Sequence, residues 1–163
     1  MRSQSALLRQ NIINMPDKLP DKMSDLLEVA LNDLKKAIKE GYSIDMGRWH
    51  NPINAGDLIK RPHPCQICMA GAVMACTLRV PDDMWMDPEN WIWVGTASVG
   101  RKMHAINHLR VGAISHAWRA MNRYQTPPDD LPANRHVADW DDGEHAFFRD
   151  QEAILKDLRE VGY

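Results

Sequence analysis

Cysteine is scarce in this 163-residue chain, and it is placed badly for cross-linking. The three cysteines, Cys65, Cys68 and Cys76, fall within one short stretch and leave an odd count. A secreted disulfide scaffold would spread paired cysteines along the chain. Long apolar runs are missing too. None approaches the roughly 18 residues of a membrane span, and the first ten residues hold only Ala6–Leu8 as an apolar run, too little for a signal-peptide core. An excess of charge of either sign is also lacking. Lys+Arg number 20 against 22 Asp+Glu, for a net charge of −2 and a pI near 6.4. A general nucleic-acid binder is normally strongly basic, and a DNA mimic would be far more acidic. There is no internal repeat and no low-complexity tract. These absences predict a protein of a reducing cytoplasm with no membrane partner.

What is present fits an ordinary globular domain. Hydrophobic residues make up 44% and charged residues 26%, which excludes disorder of the whole chain. A chain of this length buries roughly 70% of its unfolded surface, so it is expected to fold without a disulfide or a metal. Residues 1–20, with Pro16 and Pro20, read as a flexible N-terminal arm, and residues 21–163 as a single domain. From Asp21 to Glu40 the apolar residues Met23, Leu26, Leu27, Ala30, Leu31, Leu34, Ala37 and Ile38 recur at spacings of three and four, one face of a helix. Lysines crowd its last turn and Gly41 follows, the usual stop. Residues 42–64 carry Gly47, Gly56, Pro52, Pro62 and Pro64 and read as an irregular connection. A second helix is expected over Cys65–Leu78, apolar on every side and therefore buried all round. Two abutting helices are expected over Ser98–Leu109 and Val111–Tyr124, then a proline-rich loop over 125–141, then a last helix over Asp142–Val161. The fold class is mainly α, an irregular bundle of about five helices packed around the second one. Residues 90–95 form a short strand, a hairpin or a loop.

The chemistry-bearing residues form three groups. Cys65 and Cys68 have the spacing of half a zinc site, which His50 and His63 could complete from the preceding loop. The competing reading makes Cys68 and Cys76 small, buried, unreactive core residues. A cysteine in the first turn of a helix could also be a nucleophile, its thiol acidified by the helix dipole. The Cys-x-x-Cys helix start superficially resembles papain-like proteases. Such a hydrolase needs a histidine base, for which His104, His108, His116, His136 and His145 are available but unmarked. Second, Arg101, His104 and His108 lie at i, i+3 and i+7, so they share a helix face, with Arg110, Arg119 and Arg123 further on. That strip suits a phosphate or an acidic partner, or is simply a solvated face. Third, Trp85, Trp91 and Trp93 cluster among six tryptophans. Aromatics beside arginine are the composition of interface hot spots, although tryptophan also fills cores, as Trp118 is expected to do.

Three stretches, Leu19–Leu27, Cys65–Ala75 and Met103–Gly112, in this order resemble small uncharacterised proteins of tailed bacteriophages and prophages. The resemblance covers residues 19–115. It implies a phage accessory protein in a bacterial host cytoplasm and brings no cofactor or catalytic residue with it. The leading expectation is a non-catalytic binding protein that engages a host protein or sequesters a nucleotide, in host takeover or anti-defence. Its contact residues would be Trp85, Trp91, Trp93, Arg101, His104 and His108, and a homodimer is compatible with it. The alternatives are a small zinc-binding protein or cysteine hydrolase using Cys65 and Cys68, and a weak nucleic-acid binder.

Overall fold

The structure is a computed structural model that describes residues 19–44, 50–51, 66–79, 98–110, 114–123, 125–132 and 143–163. Among these residues the chain is mainly α, with five helices and one small sheet. Helix α1 spans Met23–Lys39 and places Asp25 in its first turn and Lys36 and Lys39 in its last. That placement of charge opposes the helix dipole at each end. Gly41, at φ 99°, turns the chain out of the helix in the left-handed region that glycine enters without a Cβ penalty. The expected apolar face is the buried face: Leu26, Leu27, Ala30 and Leu34 are fully inaccessible.

The strands are β1 (Ser43–Ile44), β2 (His50–Asn51) and β3 (Gln66–Ile67). β3 lies in the middle, parallel to β1 and antiparallel to β2. β1 and β2 fall where an irregular connection was expected and β3 falls at the start of the expected second helix, because a two-residue strand is too short to show alternation. The expected strand near residues 90–95 and the Trp85–Trp93 segment lie outside the described residues, as does most of the N-terminal arm. Leu19, at the arm's end, is buried. Its carbonyl accepts a hydrogen bond from the Lys102 ammonium at 2.9 Å.

Helix α2 is Met69–Cys76, four residues shorter at its start than the sequence predicts. Gln66 and Ile67 belong to β3, and Cys68 is the N-cap, with extended backbone at φ −92°, ψ 173°. An element apolar on all sides looks the same as a buried strand or a buried helix, so composition alone could not locate the boundary. Met69 to Met74 are all buried, as expected of a core helix. The hub of the bundle is nevertheless the longer α1, which packs on α2, on α3 (Ser98–Arg110), on α5 (Gly143–Val161) and on β1. Helix α4 (Ile114–Met121) packs on α3 as a hairpin. The C-terminus closes the bundle: the Tyr163 carbonyl accepts from Ser24 N–H at 3.0 Å, and the Tyr163 ring meets Trp118 edge-on at 5.2 Å. Trp118 is half-buried against the core rather than inside it. No helix among the described residues is long and apolar enough to cross a membrane.

Candidate functional site

The α3–α4 hairpin carries the most distinctive side-chain arrangement in the structure. Its inner residues Met103, Ile106 and Leu109 on α3, and Ile114 and Ala117 on α4, are buried. Helical spacing then fixes what faces outward. On α3 these are Arg101, His104 and His108, and on α4 His116 and Arg119; Arg123 is exposed two residues beyond the helix, where its φ of 54° has left the helical path. The His104 and His108 rings stack at 5.6 Å and 13°. His108 and His116 stack across the two helices at 5.6 Å and 26°. Three imidazoles thus form a ladder that joins the outer faces of both helices, with exposed His104 and His116 at its ends. Three residues before His104 comes half-buried Arg101, and three after His116 comes exposed Arg119. The spacing of three keeps each arginine on the face of its neighbouring ring.

The segment that carries this ladder holds charge of one sign. None of the 22 acidic residues lies between Asn90 and Pro128, a stretch that contains five of the 20 Lys and Arg. One of these, Lys102, points inward: its side chain is 6% exposed and its ammonium sits 2.8 Å from the Asp21 carboxylate. Arg101, Arg119 and Arg123 form no ion pair among the described residues.

Of the six contact residues expected from sequence, the structure places Arg101, His104 and His108 together on one face. Trp85, Trp91 and Trp93 lie outside the described residues. His116 was legible only as one histidine among seven, because its link to His108 is made across the hairpin.

The cysteine cluster resolves differently. Cys65 and His63 lie outside the described residues, and His50 is described only as a backbone member of β2. Cys68 is fully buried. Its sulfur accepts from the Gly71 N–H at 3.3 Å and from the Asn107 amide at 3.7 Å, while Asn107 Oδ1 accepts from the Ala70 N–H at 3.3 Å. Burial nevertheless pushes the Cys68 thiol up, outweighing those donors. This thiol caps a helix and keeps its proton, the opposite of an exposed, acidified nucleophile. Cys76 is half-buried rather than buried, because it ends α2 at the edge of the core. Its thiol donates to the Asp33 carbonyl at 3.8 Å and is also pushed up, by burial and by the charges of Asp33 and Glu40. Among the described residues no three His, Cys, Asp or Glu side chains converge as a metal site.

Hollows elsewhere are less suited to a ligand. A cleft of about 220 Å³ lies between β1 and the start of α5, lined by Ser43, Ile44, Gly143, Glu144 and Phe147. That is smaller than the roughly 300–1,000 Å³ typical of small-molecule sites. A hollow of about 480 Å³ along α5 is lined by Leu155 and the mixed charges Glu152, Lys156, Arg159 and Glu160, which favour no ligand sign. Compared with known proteins, the chain matches no family model, no curated protein and no solved structure. The functional reading therefore rests on the hairpin's geometry.

Proposed function

We propose that this is a non-catalytic binding protein, a phage accessory protein that engages an anionic component of its bacterial host through the outer face of the α3–α4 hairpin. One observation carries the reading: the imidazole ladder that joins the faces of two helices into a single arginine-flanked strip. A cationic strip on rigid helices attracts an anionic partner at long range and offers it fixed donors at contact. The phage setting rests on the resemblance of residues 19–115. The buried, helix-capping Cys68 favours binding over thiol chemistry. A host macromolecule fits the strip better than a free nucleotide, because an exposed strip contacts an extended surface whereas a nucleotide needs enclosure.

The test is capture from bacterial lysate by the immobilised protein and by its Arg119→Glu/Arg123→Glu variant. The wild type should retain a host component that about 0.5 M salt releases, since exposed charges are screened within a few ångströms at that strength. The variant should lose it while keeping its helical circular dichroism. Equal retention by the variant would place the binding surface elsewhere.

A further inference from the structure

We infer that the α3–α4 hairpin binds single-stranded nucleic acid, its arginines meeting phosphates and its histidine ladder meeting bases. The inference rests on the hairpin being the binding surface, as proposed above, and adds the chemical class of the partner. Two features of the strip must be matched at once. The first is charge: Arg101, Arg119 and Arg123 belong to a segment, Asn90 to Pro128, that contains no acidic residue, and none of the three is paired with a described neighbour. The second is shape: three flat rings stacked at 5.6 Å intervals run across the hairpin, and the end rings, His104 and His116, are exposed. An arginine lies three residues from each end ring along its own helix, on the same helix face.

An acidic protein surface would satisfy the charge and leave the rings without a counterpart. A nucleic-acid strand satisfies both, because negative phosphates alternate with flat bases, and bases stack on histidine as on other aromatic rings. The faces must be free for that stacking. A duplex hides them within its own stack, so a single strand fits and a double helix does not. The chain's overall net charge of −2 does not oppose this, since the 22 acidic residues all lie outside the hairpin segment and its flanks. Three arginine contacts are few, so binding is of modest affinity, with a salt slope of about −2 in log K against log[salt], taking about −0.7 per phosphate on a single strand.

The experiment uses the full chain and a fluorescein-labelled oligothymidylate of about 15 nucleotides, followed by anisotropy from about 50 to 300 mM KCl. The expected result is saturable binding with a slope near −2. Arg101→Gln/Arg119→Gln/Arg123→Gln should flatten the slope towards zero. His104→Ala/His116→Ala should weaken binding about fivefold or more while leaving the slope unchanged, because stacking releases no counterions. Inorganic polyphosphate and poly-glutamate, which carry charge without bases, should compete poorly at matched charge. His104, His116, Arg119 and Arg123 are exposed and Arg101 is half-buried, and circular dichroism checks that each variant is folded. The inference is overturned if the oligonucleotide does not bind at the lowest salt, if the arginine variant keeps the slope, or if the histidine variant is silent. It is also overturned if poly-glutamate or polyphosphate competes as well as oligothymidylate does. In the poly-glutamate case the hairpin would still be the binding surface, and the partner would be an acidic protein.

Discussion

Replacing Cys68 by alanine and, separately, by serine distinguishes a capping thiol from an apolar filler, and the two readings order the variants oppositely. In the structure Cys68 Sγ accepts from the Gly71 N–H at the start of α2 and from the Asn107 amide of α3. Alanine removes the acceptor. Losing a cap costs about 1 kcal/mol. Leaving the half-buried Asn107 amide short of a partner adds about 1 kcal/mol. The sum, about 2 kcal/mol, corresponds in a chain of this size to a fall in Tm of roughly 4–8 °C. Serine is among the best capping residues and keeps an acceptor at the same position on a shorter bond, so its cost should stay below about 1 kcal/mol. If Cys68 were only a small apolar residue, the serine hydroxyl would be the harmful change, costing about 1–3 kcal/mol for burial. Alanine would then lose only the transfer energy of one small group, about 0.8 kcal/mol. Urea unfolding followed by circular dichroism, with an unchanged m-value as the check on two-state behaviour, gives the order directly. A serine variant less stable than the alanine variant would refute the capping argument.

Two further outcomes follow from the same core. Brief alkylation of the native protein near pH 8, read by peptide mass spectrometry, should leave Cys68 unmodified and Cys76 only partly modified, since burial raises both thiols; rapid labelling of Cys68 would mean that α2 is not buried. Asp33 is buried on α1, hydrogen-bonded by the Thr77 hydroxyl, and burial lifts its carboxyl above the usual range against the pull of Thr77 and Lys36. A folded-state value above the unfolded one gives a stability contribution that is complete below the unfolded value and is lost as pH rises through the folded value. Asp33→Asn has no such loss, so its urea midpoint should gain on the wild type's as pH rises through and above the ordinary aspartate range; a variant that falls further behind as pH rises would contradict the burial argument.

The parts of the fold that the sequence made legible are those with a one-sided apolar pattern. Helix α1 was readable to within two residues because Leu26, Leu27, Ala30 and Leu34 mark its buried face, and α5 because Phe147, Ile154 and Leu158 do the same. Helix α2 was readable as buried but not as to where it begins. Every residue from Ile67 to Met74 is buried, so no polar face registers the change from extended to helical backbone. The cue was chemical instead of periodic. Cysteine has a side-chain acceptor that can reach the N3 amide, and Gly71 stands at N3 counted from Cys68. The small sheet left no trace, since each strand contributes only two residues.

The site was legible to the extent that it follows one helix. Arg101, His104 and His108 share a face by spacing alone, and the structure keeps them there. What joins that face to α4 is a ring contact between residues eight apart, across the hairpin. Seven histidines offer too many pairings for sequence to select that one. Net charge concealed the strip for a related reason. A total of −2 sums an acid-free hairpin with an acidic remainder, and only the distribution carries the electrostatic consequence. Potential at a surface depends on charges within about a Debye length, roughly 8–10 Å near physiological salt. The acidic residues of α1 and α5 that pair with neighbours, Glu28 with Arg159 and Glu152 with Lys35, are largely neutralised where they stand. The arginines flanking the ladder have no such partner among the described residues. The hairpin segment therefore carries unpaired positive charge on a chain whose total charge is slightly negative, and that local excess, rather than the total, is what the proposed binding would draw on.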